Sequence, residues 1–167
     1  MTPSRIISER EEPRISEQQF GNFQDVFQVR RAKRERGQFG RFFYRFQSGE
    51  AGLDVYSRVS SFMSTLIRDC IQNKNAGHNM DDVTVVIVTH GLSLRLFLMR
   101  WFQFSVEEFE ASTNPDNAKL IIMEKTCVGD KRWYRLLPDD SVSLNLPECS
   151  SKNKDPHLHH LMDDTGL

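Results

Sequence analysis

The stretch TVVIVTHGLSLRLFLMRW, residues 84–101, decides how the fold of this chain is interpreted. Its first half is β-branched and apolar at both alternating positions, which is typical of a strand buried on both faces of a parallel sheet. Its second half has the apolar spacing of a helix. His90 and Gly91 stand at the junction, where ligands bind beyond the carboxyl ends of parallel strands. The stretch therefore predicts an α/β fold with a candidate site at His90.

Two interpretations of His90 remain open from these residues alone. The helix that follows offers free backbone N–H groups and a dipole that favour an anion, Gly91 lets an oxyanion approach closely, and Ser93 adds a hydroxyl donor. A protonated imidazole would then bind a phosphoryl oxygen and stabilise charge that grows in the transition state. Alternatively, His90 only caps the helix or satisfies a loop.

Periodic patterns predict the other elements. They are a helix over residues 23–36 stopped by Gly37, a helix over 53–72, a helix over 92–102, a short helix opened by the capping box Ser105 and Glu108, and two strands within 118–126 and 131–137 joined by a turn at Gly129 and Asp130. From Pro138 onward the polar sequence predicts a flexible tail. We therefore expect one domain over residues 1–137 and a tail over 138–167.

Composition narrows the functional classes. The 167 residues carry a net charge of −1, which gives no support to nucleic-acid or membrane binding, and no apolar run reaches the length of a membrane span. The three cysteines are an odd number without a C-x-x-C pair, so we expect reduced thiols in a cytoplasmic setting. The histidine-rich segment 157–160 is expected to be unstructured rather than a metal site. The basic and aromatic segment 29–45 is expected to be either a lid over an anion site or a solvated helix face.

Three blocks, in order along the chain, resemble the histidine phosphatase superfamily, the phosphoglycerate mutase-like proteins. VVIVTHGLSLRLFLMRW (85–101) resembles the second-histidine motif, EEPRISEQQFGNF (11–23) the loop that carries a catalytic glutamate, and FYRFQSGEAGLDVYSRVSSF (43–62) the Gly-Glu-Ser segment. The last motif reads Gly49-Glu50-Ala51 here, and Ser16 stands where the family has an arginine. The resemblance implies a three-layer α/β sheet with helices on both faces, no cofactor, and a phosphorylated small molecule or other phosphate monoester as substrate.

Carried over to this sequence, the resemblance implies roles for four side chains. Glu17 matches the proton donor, which would protonate the leaving alkoxide and later activate water. His90, with Gly91, matches the phosphate-binding histidine. Glu50 either steadies the pocket from behind or only opens the next helix, and Arg95 orients local structure or pairs with a carboxylate.

The family's nucleophile is another histidine, in an Arg-His-Gly motif at the end of the first strand. The five histidines of this chain are His78, His90, His157, His159 and His160, and none stands in that motif. The resemblance therefore implies an N-terminally truncated domain, inactive on its own, that self-associates through an incomplete sheet. The alternative function is a noncatalytic interaction or regulatory protein built on the same fold.

Overall fold

The computed structural model describes residues 8–22, 25–128 and 131–147. Helices make up most of the regular secondary structure in this part of the chain, and its regular sheet is a single two-stranded antiparallel hairpin. The helices are α1 (Val26–Phe39), α2 (Gly52–Asn75), α3 (Gly91–Phe102), α4 (Val106–Ala111) and α5 (Pro138–Ser143), and the strands are β1 (Met123–Val128) and β2 (Lys131–Leu136). Short 3-10 turns lie at Pro13–Ile15 and Met80–Asp82.

The core is formed mainly by α2 packing against α3. The helix predicted over residues 53–72 is confirmed as α2, on which Val55 and Val59 are fully buried and Phe62 is nearly so. From α3, Leu96 and Leu98 are fully buried, so this helix is covered on more than one side. Because α3 begins at Gly91, directly after His90, this packing holds the candidate site in a fixed place.

The short helix α4 and the hairpin follow the sequence patterns closely. The predicted capping box is present: the Ser105 backbone N–H donates to Glu108 Oε2 at 2.7 Å, and the Glu108 N–H donates to Ser105 Oγ at 3.2 Å. In the hairpin, Met123 pairs with Leu136. The two predicted strands and their pairing are confirmed, with the first strand beginning at Met123 rather than at residue 118. The predicted turn at Gly129 and Asp130 lies outside the described residues.

The predicted end of α1 at Gly37 and the predicted tail from Pro138 are both wrong. Gly37 does not stop α1, which continues to Phe39 and ends at Gly40, where φ is 102°. A positive φ of this kind is available to glycine at little cost, and Gly37 in the interior costs only about 1 kcal/mol. Residues 138–147 do not form the predicted tail, because α5 lies there and Leu144 is fully buried. Pro138 suits the first turn of a helix, and a single turn leaves almost no periodic signal.

The prediction of a doubly buried strand over residues 83–89 is also wrong for the chain as described. The segment is neither strand nor helix, and Val86 and Val88 are 76% and 87% exposed. A strand exists only through backbone hydrogen bonds to a neighbour, and the described residues provide no neighbour for this segment. The apolar pattern indicates which side chains the segment would bury in a sheet, but it does not show that a neighbouring strand is present.

Candidate functional site

His90 stands at the first turn of α3. Its carbonyl accepts the Leu94 N–H at 2.8 Å, so its backbone forms the N-cap, but its side chain makes no capping hydrogen bond. The imidazole is about half exposed, at 54%. The interpretation of this side chain as a helix cap is therefore wrong, and the ring is available for other chemistry.

Glu17 lies beside this imidazole. Its Oε2 is 3.6 Å from His90 Nδ1, and its side chain is 40% exposed. This distance exceeds that of a normal hydrogen bond, so the two groups share a site open to solvent without forming a tight pair. The other carboxylate oxygen, Oε1, accepts the N–H of Gln18 at 2.9 Å. The structure thus brings together the two residues for which the sequence analysis implied catalytic roles.

The loop that carries Glu17 is fixed by Arg58, which the sequence analysis missed. Arg58 donates to the carbonyls of Arg14 at 2.7 Å, Ser16 at 3.0 Å and Glu17 at 3.1 Å. Its Nε and Nη2 also bind the two carboxylate oxygens of Glu50, at 3.0 and 3.1 Å. One guanidinium therefore ties the loop to α2, and no local pattern in the sequence marks Arg58 for this role.

Glu50 completes the support behind the loop. Its carboxylate accepts the Gln19 N–H at 2.9 Å, and its own N–H donates to the Gln19 carbonyl at 2.8 Å. Burial alone would raise the pKa of Glu50, but hydrogen bonds from Arg58 and the Gln19 N–H, with the charge of Arg58, outweigh it and lower the pKa below its ordinary value. Glu50 lies behind the loop as a charged, hydrogen-bonded support.

Hydroxyl groups from the other side of the site reach the same loop. Ser93 Oγ donates to the Ser16 carbonyl at 2.7 Å, and Thr89 Oγ1 donates to the Ile15 carbonyl. The hydroxyl of Ser93 is therefore committed to the loop and does not serve as the anion donor that the sequence analysis considered.

Gly91 leaves room for a side chain that the sequence analysis did not single out. A Cβ at Gly91 would lie 2.8 Å from Cγ of Asn114, a distance at which something must shift. Asn114 is exposed, and its carboxamide lies next to the start of α3. An amide N–H at this place is a second polar group beside His90.

Arg95 is buried within α3 and has no carboxylate partner among the described residues. Its Nη1 donates to the carbonyl and the hydroxyl of Ser112, each at 2.9 Å, and its guanidinium lies 4.9 Å from the Phe109 ring centroid. Burial, followed by the charge of Arg41, lowers the pKa of Arg95 to about 10. Of the two roles considered, the orientation of local structure by Arg95 fits these contacts.

The segment 29–45 has a solvated face, and one of its arginines turns toward the loop of Glu17. Arg31 is exposed and pairs with Glu35 along α1 at 2.8 Å, as on a solvated helix face. Arg36 instead is half-buried, stacks over Phe46 at 5.3 Å and donates to Gln18 Oε1 at 3.4 Å. Part of this basic segment therefore contacts the loop of Glu17.

The remaining sequence predictions concern the histidine-rich segment, metal binding and membrane spans. The segment 157–160 lies outside the described residues. Within them, no cluster of three or more histidine, cysteine or acidic side chains is arranged to hold a metal ion. None of the helices described is both long and apolar enough to cross a bilayer.

A comparison with known families identifies the family of this chain. Residues 4–134 match the sequence model of the histidine phosphatase superfamily (branch 1). The chain belongs to this superfamily. The match contains Glu17, Glu50, His90, Gly91 and Arg95.

Named relatives of this histidine phosphatase chain come from a plant and a yeast. It is 49% identical over 126 residues to phosphoglycerate mutase-like protein AT74 of Arabidopsis thaliana, covering 75% of this chain and 40% of the relative. It is 44% identical over 115 residues to broad-range acid phosphatase DET1 of Saccharomyces cerevisiae, covering 69% of this chain and 34% of the relative. The chain thus spans less than half the length of these relatives. No solved structure matches it significantly.

Proposed function

We propose that this chain carries the phosphate-binding and proton-transfer part of a histidine phosphatase site that acts on phosphate monoesters in the cytoplasm. One observation carries the proposal: Glu17 and His90, distant in sequence, lie 3.6 Å apart at the start of a buried helix. A half-exposed imidazole and carboxylate have no packing role that would require this juxtaposition. The three-layer sheet implied by the resemblance belongs to the same proposal.

Each of the two side chains takes one part of the proposed chemistry. The protonated imidazole of His90, together with the N–H groups at the start of α3, holds phosphoryl oxygens. The carboxyl group of Glu17 gives its proton to the leaving alkoxide, and the resulting carboxylate later takes a proton from the water that hydrolyses the phosphorylated enzyme. Arg58 and Glu50 keep Glu17 in place during both steps.

The attacking nitrogen is not supplied by His90, because one imidazole cannot attack phosphorus and hold the same phosphoryl group. None of the other histidines stands in an Arg-His-Gly motif. Loss of a nucleophile usually lowers the rate by several orders of magnitude. We therefore propose that residues 1–167 bind phosphate without turning over esters, and that a histidine from further polypeptide would complete the site.

A phosphate titration followed by NMR tests the binding part. Inorganic phosphate should shift the Gly91 and Leu92 amides with a Kd of roughly millimolar order. His90→Ala should weaken this binding, while His78→Ala, which changes an exposed histidine beyond α2, should leave it intact. A folded sample without these shifts would disprove the phosphate site.

An activity assay tests the catalytic part. We expect residues 1–167 to hydrolyse an aryl phosphate no faster than background and to form no acid-labile phosphohistidine. Turnover that disappears in His90→Ala but survives in His78→Ala would show that His90 had taken over the attack. An Arg-His-Gly encoded in frame before Met1 would identify the completing histidine.

A second candidate function, noncatalytic association of the chain with a copy of itself, is favoured by the segment 83–89. Among the described residues, no hydrogen bond involves the backbone of Val85 through Val88, and the side chains of Val86 and Val88 project into solvent. The segment has no charged residue, so two copies could pair antiparallel without repulsion.

Sedimentation of charged variants distinguishes this candidate. Val86→Lys should shift a dimer to monomer, because a lysine blocks edge pairing. Val142→Lys changes an equally exposed valine (79%) on α5 and should leave the dimer unchanged. A wild-type chain that sediments as a monomer at all accessible concentrations would exclude self-association.

A further inference from the structure

The carboxamide of Asn114 packs against the first residue of α3. A Cβ added at Gly91 would lie 2.8 Å from Asn114 Cγ and 3.0 Å from both Nδ2 and Oδ1. Gly91 is not one of the described glycines with a positive φ, so its backbone conformation does not require glycine. What requires glycine here is the close approach, because any side chain would displace the carboxamide. Gly91 therefore makes room for the amide of Asn114 directly beside His90.

The chain just before Asn114 is anchored from two sides. Arg95 of α3 donates from Nη1 to the carbonyl and the hydroxyl of Ser112, each at 2.9 Å. From the other side, the Thr113 N–H donates at 2.9 Å to the carbonyl of Leu144, which follows α5. Arg95 and Leu144 are both buried, so both anchors belong to the core. The backbone that carries Asn114 is thus fixed relative to α3, as a preorganised binding group requires.

The fold itself does not use the side chain of Asn114. Three other asparagines donate from Nδ2 to protein oxygens: Asn73 at 2.9 Å, Asn79 at 2.8 Å and Asn145 at 2.7 Å. The carboxamide of Asn114 is exposed and has no hydrogen-bond partner among the described residues. An anchored amide donor that faces solvent, next to the backbone N–H groups at the start of α3, is available to a ligand.

We propose that Asn114 contacts the substrate: its Nδ2–H donates to a phosphoryl oxygen that His90 and the first N–H groups of α3 also hold. Phosphoryl oxygens are acceptors, so they bind the donor end of the carboxamide, and a hydrogen bond to an anion is stronger than one to a neutral group. Side-chain amides stabilise negative charge in this way where it develops during a reaction. This inference rests on the proposed function, because it places the phosphoryl group on His90.

The side-chain amide resonances of Asn114 report this contact directly. In a titration of isotope-labelled residues 1–167 with inorganic phosphate, at constant pH and ionic strength, they should shift with the same Kd as the Gly91 and Leu92 amides. Their loss from the spectrum of Asn114→Asp identifies them. The side-chain amide of Asn117, an exposed carboxamide on the same connection, should not shift. No shift at Asn114, or an equal shift at Asn117, would overturn the inference.

Two variants with the same charge change localise the effect. Asn114→Asp keeps the shape of the side chain but replaces the donor with an anion. The Kd for phosphate should therefore rise by more than about tenfold, which the loss of one charge-assisted bond alone would produce. Asn117→Asp adds the same charge further along the chain and should change the Kd by less than about twofold. Equal losses would show only a general field, and an unchanged Kd in Asn114→Asp would show no contact; either result would overturn the inference.

Asn114→Ala distinguishes contact with phosphate from support of the fold. It removes the donor without adding charge, so the Kd should rise about tenfold. The urea midpoint should match that of wild type, because the exposed side chain makes no hydrogen bond within the part of the chain that the structure describes. A midpoint that falls together with the affinity would mean that Asn114 supports the start of α3 instead, and the inference would be wrong.

The same titrations separate this inference from the proposed function. Phosphate shifts of Gly91 and Leu92 that keep the wild-type Kd in both Asn114 variants would remove the role of Asn114 and leave the phosphate site standing. Absence of those shifts in the folded wild-type chain would disprove the phosphate site itself, and with it the contact from Asn114.

Discussion

Two irregular segments lead to the same site and differ in how their backbone N–H and carbonyl groups are hydrogen-bonded. The loop 12–19 has neither helix nor strand beyond one short turn, yet side chains from α2 and from the start of α3 bind its carbonyls. The segment 83–89 has a strong strand pattern, but its backbone is unpaired between Val85 and Val88 in the part of the chain that the structure describes. Polar side chains can thus replace regular backbone pairing, whereas apolar ones cannot.

The difference follows from the chemistry of the two sequences. A guanidinium has five N–H donors in a planar fork, so Arg58 alone satisfies several carbonyls of the loop. The side chains of valine and isoleucine have no hydrogen-bonding group for the backbone. They stabilise the fold only when neighbouring groups cover them. The loop should therefore contribute to the stability of this chain, and the exposed valines of the segment 83–89, Val85, Val86 and Val88, should not.

The largest effect is expected from the arginine that braces the loop. Arg58→Gln should lower the free energy of unfolding by roughly 1.5–3 kcal/mol, because it removes hydrogen bonds to Glu50 and leaves that half-buried carboxylate unpaired. It should also accelerate amide exchange at Gln18 and Gln19. Urea unfolding and hydrogen exchange measure the two effects.

A matched arginine shows whether this effect is specific. Arg45 pairs with Asp54 at 2.7 Å, but its side chain is 59% exposed. Arg45→Gln should cost less than about 1 kcal/mol and leave exchange in the loop unchanged. Equal losses in both variants would mean that the loop is not braced in the way the hydrogen bonds indicate.

A smaller effect is expected at the start of the loop, from the ion pair of Glu12 and Arg14. The carboxylate accepts Arg14 Nε at 2.6 Å and Nη2 at 2.5 Å, and this hydrogen bonding lowers the pKa of Glu12 from 4.5 to about 2. Since the folded-state pKa is the lower one, Glu12 stabilises the folded chain above pH 4.5, and this contribution is lost as the pH falls toward 2.

Urea midpoints of variants across this pH range measure the contribution. Glu12→Gln should be less stable than wild type at neutral pH and should approach it as the pH falls below 4.5. Glu11→Gln changes the exposed neighbour and should follow the wild-type curve throughout. A constant gap between Glu12→Gln and wild type from neutral pH to about pH 2.5 would contradict the lowered pKa.

The same contrast explains how much the sequence could predict. Periodicity found α2, α3 and the hairpin because each depends on patterns within one segment or between close neighbours. The family motifs placed Glu17 beside His90. Arg58 and Asn114 escaped notice because their roles arise from contacts distant in sequence, which no local pattern records. For residues 83–89 the pattern was strong, but pairing depends on another strand.

The smallest effect is expected where the sequence signal was strongest. Val86→Thr should change the free energy of unfolding of the dilute chain by no more than about 0.5 kcal/mol, because Val86 is 76% exposed and loses no packing. Val59→Thr, at a position with 0% exposure on α2, should cost about 1–3 kcal/mol, since its hydroxyl would be buried among apolar groups. A loss of comparable size at Val86 would show that the segment is already covered in solution. In that case a second strand would already stabilise the segment 83–89 in solution, and the two segments would differ only in a chain without that strand. The free energy lost at Val86 would then measure how much the second strand contributes.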